Sequence, residues 1–143
     1  MKLFKLLLVS LFCLSLVACG NPHEIKVNEG GGKVVYEGID KYISSSEYQA
    51  EIKETIETMD KWGLTLEVKS EGDTLVYSYT YQSQVDLSDE AKNNILESIK
   101  SQSDVYNAII DQISKDTTEG NPKVKIVYYD ADGSVLVEHV FTK

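Results

Sequence analysis

The sequence predicts an α+β domain: two helix-strand-strand repeats that close a four-stranded antiparallel sheet with two helices on one face. Three observations predict it. Two pairs of segments alternate apolar and polar residues around short turns, "LTLEVKSEGDTLVYSYTY" at 64–81 and "KVKIVYYDADGSVLVEHVF" at 123–141. Each pair follows a segment whose apolar residues recur with the helical period. The two hairpins also echo one another, so helix-strand-turn-strand occurs twice.

The chain opens with a short apolar run after Lys2 and Lys5, and the run ends at Leu16-Val17-Ala18-Cys19. It is too short to span a bilayer, which takes about 20 apolar residues, and suits the apolar part of a secretory signal. Its end resembles the bacterial lipoprotein signal pattern, in which the cysteine receives a diacylglycerol group and becomes the first residue of the cut chain. Residues 1–18 are therefore expected to be a signal peptide and Cys19 the lipidation site. Residues 19–38 read as the lipidated cysteine and a flexible tether, from the Gly, Asn and Pro content and lack of periodicity of 20–33. Residues 39–143 read as one domain. Removal of 1–18 would also remove Cys13, leaving no disulfide.

Within the domain, "GIDKYI" suggests a helical turn. Ser44 and Glu47 have capping-box spacing. Tyr48, Ile52, Ile56 and Met59 then line one helix face, and Gly63 stops the helix. The "SEGD" turn joins the first two strands. Ser88 caps a second, longer helix, with Asp89 and Glu90 in its favourable first turn. Ala91, Ile95, Ile99, Tyr106, Ile109 and Ile113 form its stripe, and the polar Gln102 within it suggests a bend. Gly120 and Pro122 end that helix before the second hairpin.

Composition excludes some functions. The chain has 143 residues, 14 Lys+Arg against 23 Asp+Glu, and a formal charge of −9; all its basic residues are Lys. Without arginine forks, and with this charge, nucleic acid is not an expected partner. No cofactor or metal set is legible. His23 falls in the tether, and His139, mid-strand, has no nucleophile in its pattern. "DADG" at 130–133 shares letters with a calcium loop but lacks that loop's later ligands, so a turn with Gly133 left-handed explains it. "EGGGK" at 29–33 lacks the Ser/Thr of a phosphate loop. An enzyme is not expected.

Two features bear on binding. Tyr77, Tyr79 and Tyr81 share a strand face, either packed beneath the helices or exposed as an aromatic strip for glycan, peptide or protein. In the second hairpin both faces carry apolar rows, whereas a sheet covered on one side should be polar on the other. Val127, Tyr129, Leu136 and Val140 are left on the outer side as a candidate interaction surface.

The LVAC ending, the Gly-rich tether and the order helix, "GDTLVYSYTY", long helix, "NPKVKIVYYDADG", strand resemble a family of small Gram-positive bacterial lipoproteins filed as a domain of unknown function. The resemblance covers about residues 39–142. It implies a surface location and carries no activity or catalytic residue. The resulting expectation is a membrane-anchored surface lipoprotein on the outer face of the cell membrane. It would act as a non-enzymatic binding or accessory module of the envelope, held to the membrane through Cys19, with an envelope protein or glycan as partner. The alternative is a ligand-sequestering or sensing domain with a small pocket between helices and sheet.

Overall fold

A computed structural model of the chain describes residues 34–143. Four helices and four strands follow in the order α1 (Gly38–Ile43), α2 (Ser46–Lys61), β1 (Leu64–Glu71), β2 (Thr74–Tyr81), α3 (Asp89–Lys100), α4 (Ser103–Asp116), β3 (Lys123–Tyr129) and β4 (Val135–Phe141). The α+β class and both hairpins match the sequence expectation; the helix count and strand directions do not.

Four helices stand where two were expected. The turn at "GIDKYI" is a helix of its own. Ser44 closes it, its hydroxyl donating to the Asp40 carbonyl. Ser45 therefore caps α2 instead, its Oγ accepting from the Tyr48 amide at 3.3 Å. The long second helix breaks at Ser101–Gln102, where the Gln102 polar head interrupts the stripe. Its start is as expected, with the Ser88 Oγ accepting from the Ala91 amide at 3.2 Å. Gly63 ends α2 with φ +79°, a conformation that a side chain strains.

The sheet has the order β1-β2-β3-β4 and is mixed, not antiparallel throughout. β1 pairs β2 antiparallel, from Leu64↔Tyr81 to Glu71↔Thr74, and β3 pairs β4 antiparallel. The central pair is parallel, with Thr74 opposite Lys123 and Thr80 opposite Tyr129. The physical reason lies in the connection. Residues 82–122 carry α3 and α4 and return the chain to the starting end of β2, so β3 runs the same way. Parallel neighbours require such a crossover.

One alternate set of residues from each strand joins the helices in a single core cluster. Leu64 and Leu66 of β1, Leu75, Tyr77 and Tyr79 of β2, Val124, Ile126 and Tyr128 of β3, and Val137 and Phe141 of β4 pack with Ile39, Ile52, Met59, Ile95, Ile99, Tyr106, Ile110 and Ile113. Tyr106 stacks on Phe141 and Tyr79 on Tyr128, with ring centroids 4.4 and 4.8 Å apart. Truncating a fully buried member such as Ile113 to Ala would cost about 2–5 kcal/mol. The N-terminal approach is clipped to this body. Tyr36 donates its amide to the Asp116 carbonyl at 2.7 Å and accepts from the Thr118 amide at 2.9 Å.

Candidate interaction surface

Strand alternation places the remaining residues on the second sheet face. Reading across the register gives three successive rows: Thr65, Thr80, Tyr129 and Val135; then Glu67, Ser78, Val127 and Glu138; then Lys69, Val76, Lys125 and Val140. Val76 and Val127 at its centre are buried, yet both stand outside the core cluster. Between them Ser78 is only 4% exposed, and its hydroxyl has no hydrogen-bond partner among the described residues. A buried polar atom without a partner keeps its desolvation cost.

Of the four residues expected on this surface, three lie on the face. Val127 is fully buried at the sheet centre, Tyr129 is half-buried, and Val140 is 43% exposed at the edge strand. Leu136 does not lie there. The register shifts at Tyr128/Tyr129, so Val137 pairs with Tyr128 and Val135 with Tyr129, leaving Leu136 as the extra residue of a bulge. Leu136 packs against the core cluster, and Val135, 53% exposed, takes the place beside Tyr129. Sequence reasoning missed Val76, Ser78 and Val135. Val76 had a signal, being an apolar residue out of phase in "LVYSYTY". The bulge had none.

The lysines here are each closed by an acid, while Glu67 of the middle row has no such pair among the described residues. Lys125 lies 3.1 Å from Glu138, Lys69 3.2 Å from Glu71, and Lys123 2.9 Å from Asp73. Hydrogen bonding to Glu138 raises the Lys125 ammonium above its ordinary range, and the Lys123 contact lowers the Asp73 carboxyl. Such exposed pairs contribute little to stability. They do make this face close to neutral on a strongly acidic chain.

The tyrosines serve the interior. Tyr77 and Tyr79 are buried, and the Tyr48 and Tyr77 hydroxyls meet at 3.2 Å. The Tyr42 ring tilts against Tyr48 at 5.1 Å. Burial pushes the Tyr77 phenol up to about 12, and burial likewise raises Tyr42 and Tyr48. The packed alternative for Tyr77 and Tyr79 therefore holds. Tyr81 is half-buried against the core.

The "DADG" segment is a turn. Gly133 has φ +84° and donates its amide to the Asp130 carbonyl. The Asp130 carboxylate is buried and accepts from the Val85 amide (3.0 Å), the Ala131 amide (2.7 Å) and the Gln84 Nε2 (2.6 Å). It ties the 82–88 connection to the turn. Among the described residues no group of three or more His, Cys, Asp or Glu side chains could hold a metal ion. His139 packs edge-on to Phe141, centroids 4.6 Å apart. A shallow cleft of about 180 Å³ lies at the end of α4, lined by Asp111, Ser114, Asn121, Lys123 and Lys143. Small-molecule sites usually hold about 300–1,000 Å³.

Cys19, His23 and the 29–33 glycine tract lie outside the described residues. No helix among the described residues is long and apolar enough to cross a membrane. No curated protein and no solved structure matches the chain. A family model does match, over residues 39–141, which takes in every strand and reaches from the first turn of α1 to the last residue of β4. The chain thus belongs to the family described as Domain of unknown function (DUF4854).

Proposed function

We propose that this is a lipid-anchored surface protein of a Gram-positive envelope whose domain binds a partner through the second sheet face. Residues 1–18 are the secretory signal, Cys19 carries the lipid, and the chain up to the Tyr36 clip tethers the domain to the outer leaflet. Among the described residues the helices pack with one face of the sheet, and the accessible residues of the other are free to work. The protein is a non-enzymatic binding or accessory module, and its partner is an envelope protein or glycan.

The observation that carries this reading is the composition of the second face. Tyr129, Val135 and Val140 are accessible there around a buried Val76–Ser78–Val127 centre, and the lysines are closed by neighbouring acids. A nearly neutral surface that shows three apolar side chains, on an otherwise acidic chain, is where another body approaches with least repulsion. A photoreactive residue in place of Tyr129, in the full chain on its native membrane, tests it. One discrete adduct is expected from position 129 and none from Lys53, exposed on α2. Equal adducts from both positions would refute the reading.

A further inference from the structure

We infer that the outer edge of β4 is a pairing edge, and that its occupant is a second copy of this chain, added antiparallel about a two-fold axis at His139. The two edges of the sheet differ. β1 carries three charges, Glu67, Lys69 and Glu71. The last two pair with one another; Glu67 has no ion pair among the described residues and is the kind of residue with which proteins defend an edge against strand addition. β4 is "VLVEHVF", whose one acid, Glu138, is closed by Lys125 on the neighbouring strand. The bulge at Leu136 disturbs only its first part, so 137–141 is regular and strongly β-prone. Among the described residues no strand pairs with its outer side.

The backbone fixes which groups point outward. The Asp130 amide donates across the hairpin to the Ser134 carbonyl. Alternate amides point the same way, so Val124, Ile126 and Tyr128 face β4 and exchange bonds with Phe141, His139 and Val137. The amides of Glu138 and Val140 therefore face outward, free to bond an added strand.

The side chains choose the occupant and the register. An antiparallel edge is self-complementary under a two-fold axis. An axis at Glu138 would set two glutamates opposite one another, which is unfavourable. An axis at His139 sets Glu138 against Val140 of the second copy and Val137 against its Phe141, a β-branched–aromatic pair of the favourable kind. The 43%-exposed Val140 is then covered. A single strand pair falls below the standard interface size, and two strongly acidic chains repel. The pairing is thus weak in dilute solution, strengthened by salt, and favoured where anchoring concentrates copies on one surface. It uses backbone of the edge and is separable from binding through Tyr129.

The test is cysteine cross-linking of the full chain in its native membrane. In this register the two 139 positions form the close, non-hydrogen-bonded pair, with Cα atoms about 4.5 Å apart, within disulfide reach. Since tethering raises effective concentration, His139→Cys is expected to give disulfide dimer about tenfold above two controls. These are the wild-type chain, which after loss of residues 1–18 and lipidation of Cys19 offers no free thiol, and Glu67→Cys on the other edge. The yield should rise with ionic strength. It should return to background when Val140→Glu, which puts like charges opposite, or Val140→Pro, which removes an outward donor, is added. Equal yields from the two edges, no dimer from a protease-resistant His139→Cys chain, or an adduct with a different protein would each overturn the inference.

Discussion

Replacing Asp130 by Ala should cost the domain far more than replacing Asp132, two residues away in the same turn. Asp130 is buried and accepts three hydrogen bonds, from Val85, Ala131 and Gln84. Hydrogen bonds to a charged group contribute about 1.5–3 kcal/mol where water is excluded, and less where it returns. Gln84 and Ala131 are exposed, so their donors rehydrate; the Val85 amide is half-buried and does not do so fully. One bond near full value and two discounted ones give about 3 kcal/mol. At about 4 °C per kcal/mol the melting temperature falls by roughly 12 °C. The Asp132 carboxylate accepts from Ser134 at the exposed tip, where water replaces the loss, so Asp132→Ala leaves the midpoint nearly in place. Urea denaturation of both variants, with unchanged slopes, measures the difference. Added calcium should stabilise neither variant nor wild type, since the Asp130 oxygens already serve N–H donors. Equal losses from the two substitutions, or calcium stabilisation abolished by Asp130→Ala, would refute the reasoning.

Three further outcomes are expected. Ser78→Ala deletes a buried hydroxyl that has no partner among the described residues, so the variant should be as stable as wild type or more so by about 1 kcal/mol; a clear loss in denaturant midpoint would contradict this. The buried tyrosines make stability fall in alkali. With the Tyr77 phenol raised from 10 to about 12 in the folded state, its contribution is whole below pH 10 and is lost as pH rises to 12. The slope is about 1.4 kcal/mol per pH unit for each such group. The Tyr48→Phe/Tyr77→Phe pair should flatten that slope between pH 10 and 12, and an unchanged slope would tell against it. Cys19→Ala should abolish fatty-acid labelling and leave an uncut precursor, while undiminished label would remove the anchor from the account.

The elements were legible because their signals are local. The stripe of Ile95, Ile99 and Ile113, the caps at Ser88 and Gly63 and the turn at Gly133 each depend on neighbours within a few residues. Strand direction is not local. A parallel β2–β3 pair differs from an antiparallel one only in where the 82–122 crossover sets the chain down. One trace of it was present: Val76 and Val127 put apolar residues on both sides of their strands, as central strands do. That doubling reads equally as spare surface. The structure divides the two meanings, burying Val127 while leaving Tyr129 and Val140 accessible. Leu136 was misplaced because a one-residue bulge turns the strand over without altering its alternation. Ser44 was passed over as cap because α1 had already used it, a competition that spacing alone does not reveal.

The most direct test of the central claim is the Tyr129→Ser/Val135→Ser chain, compared with wild type for both melting temperature and capture of whatever a photoreactive group at position 129 identifies. Both residues stand outside the core cluster, Val135 53% exposed and Tyr129 half-buried, and substitutions at accessible positions usually move stability by under about 0.5 kcal/mol. Truncating contacts at the centre of an interface costs a complex about 2 kcal/mol or more, near thirtyfold in affinity. The account predicts a nearly unmoved melting temperature and capture reduced by that factor. Capture at the wild-type level from a folded double variant would contradict it.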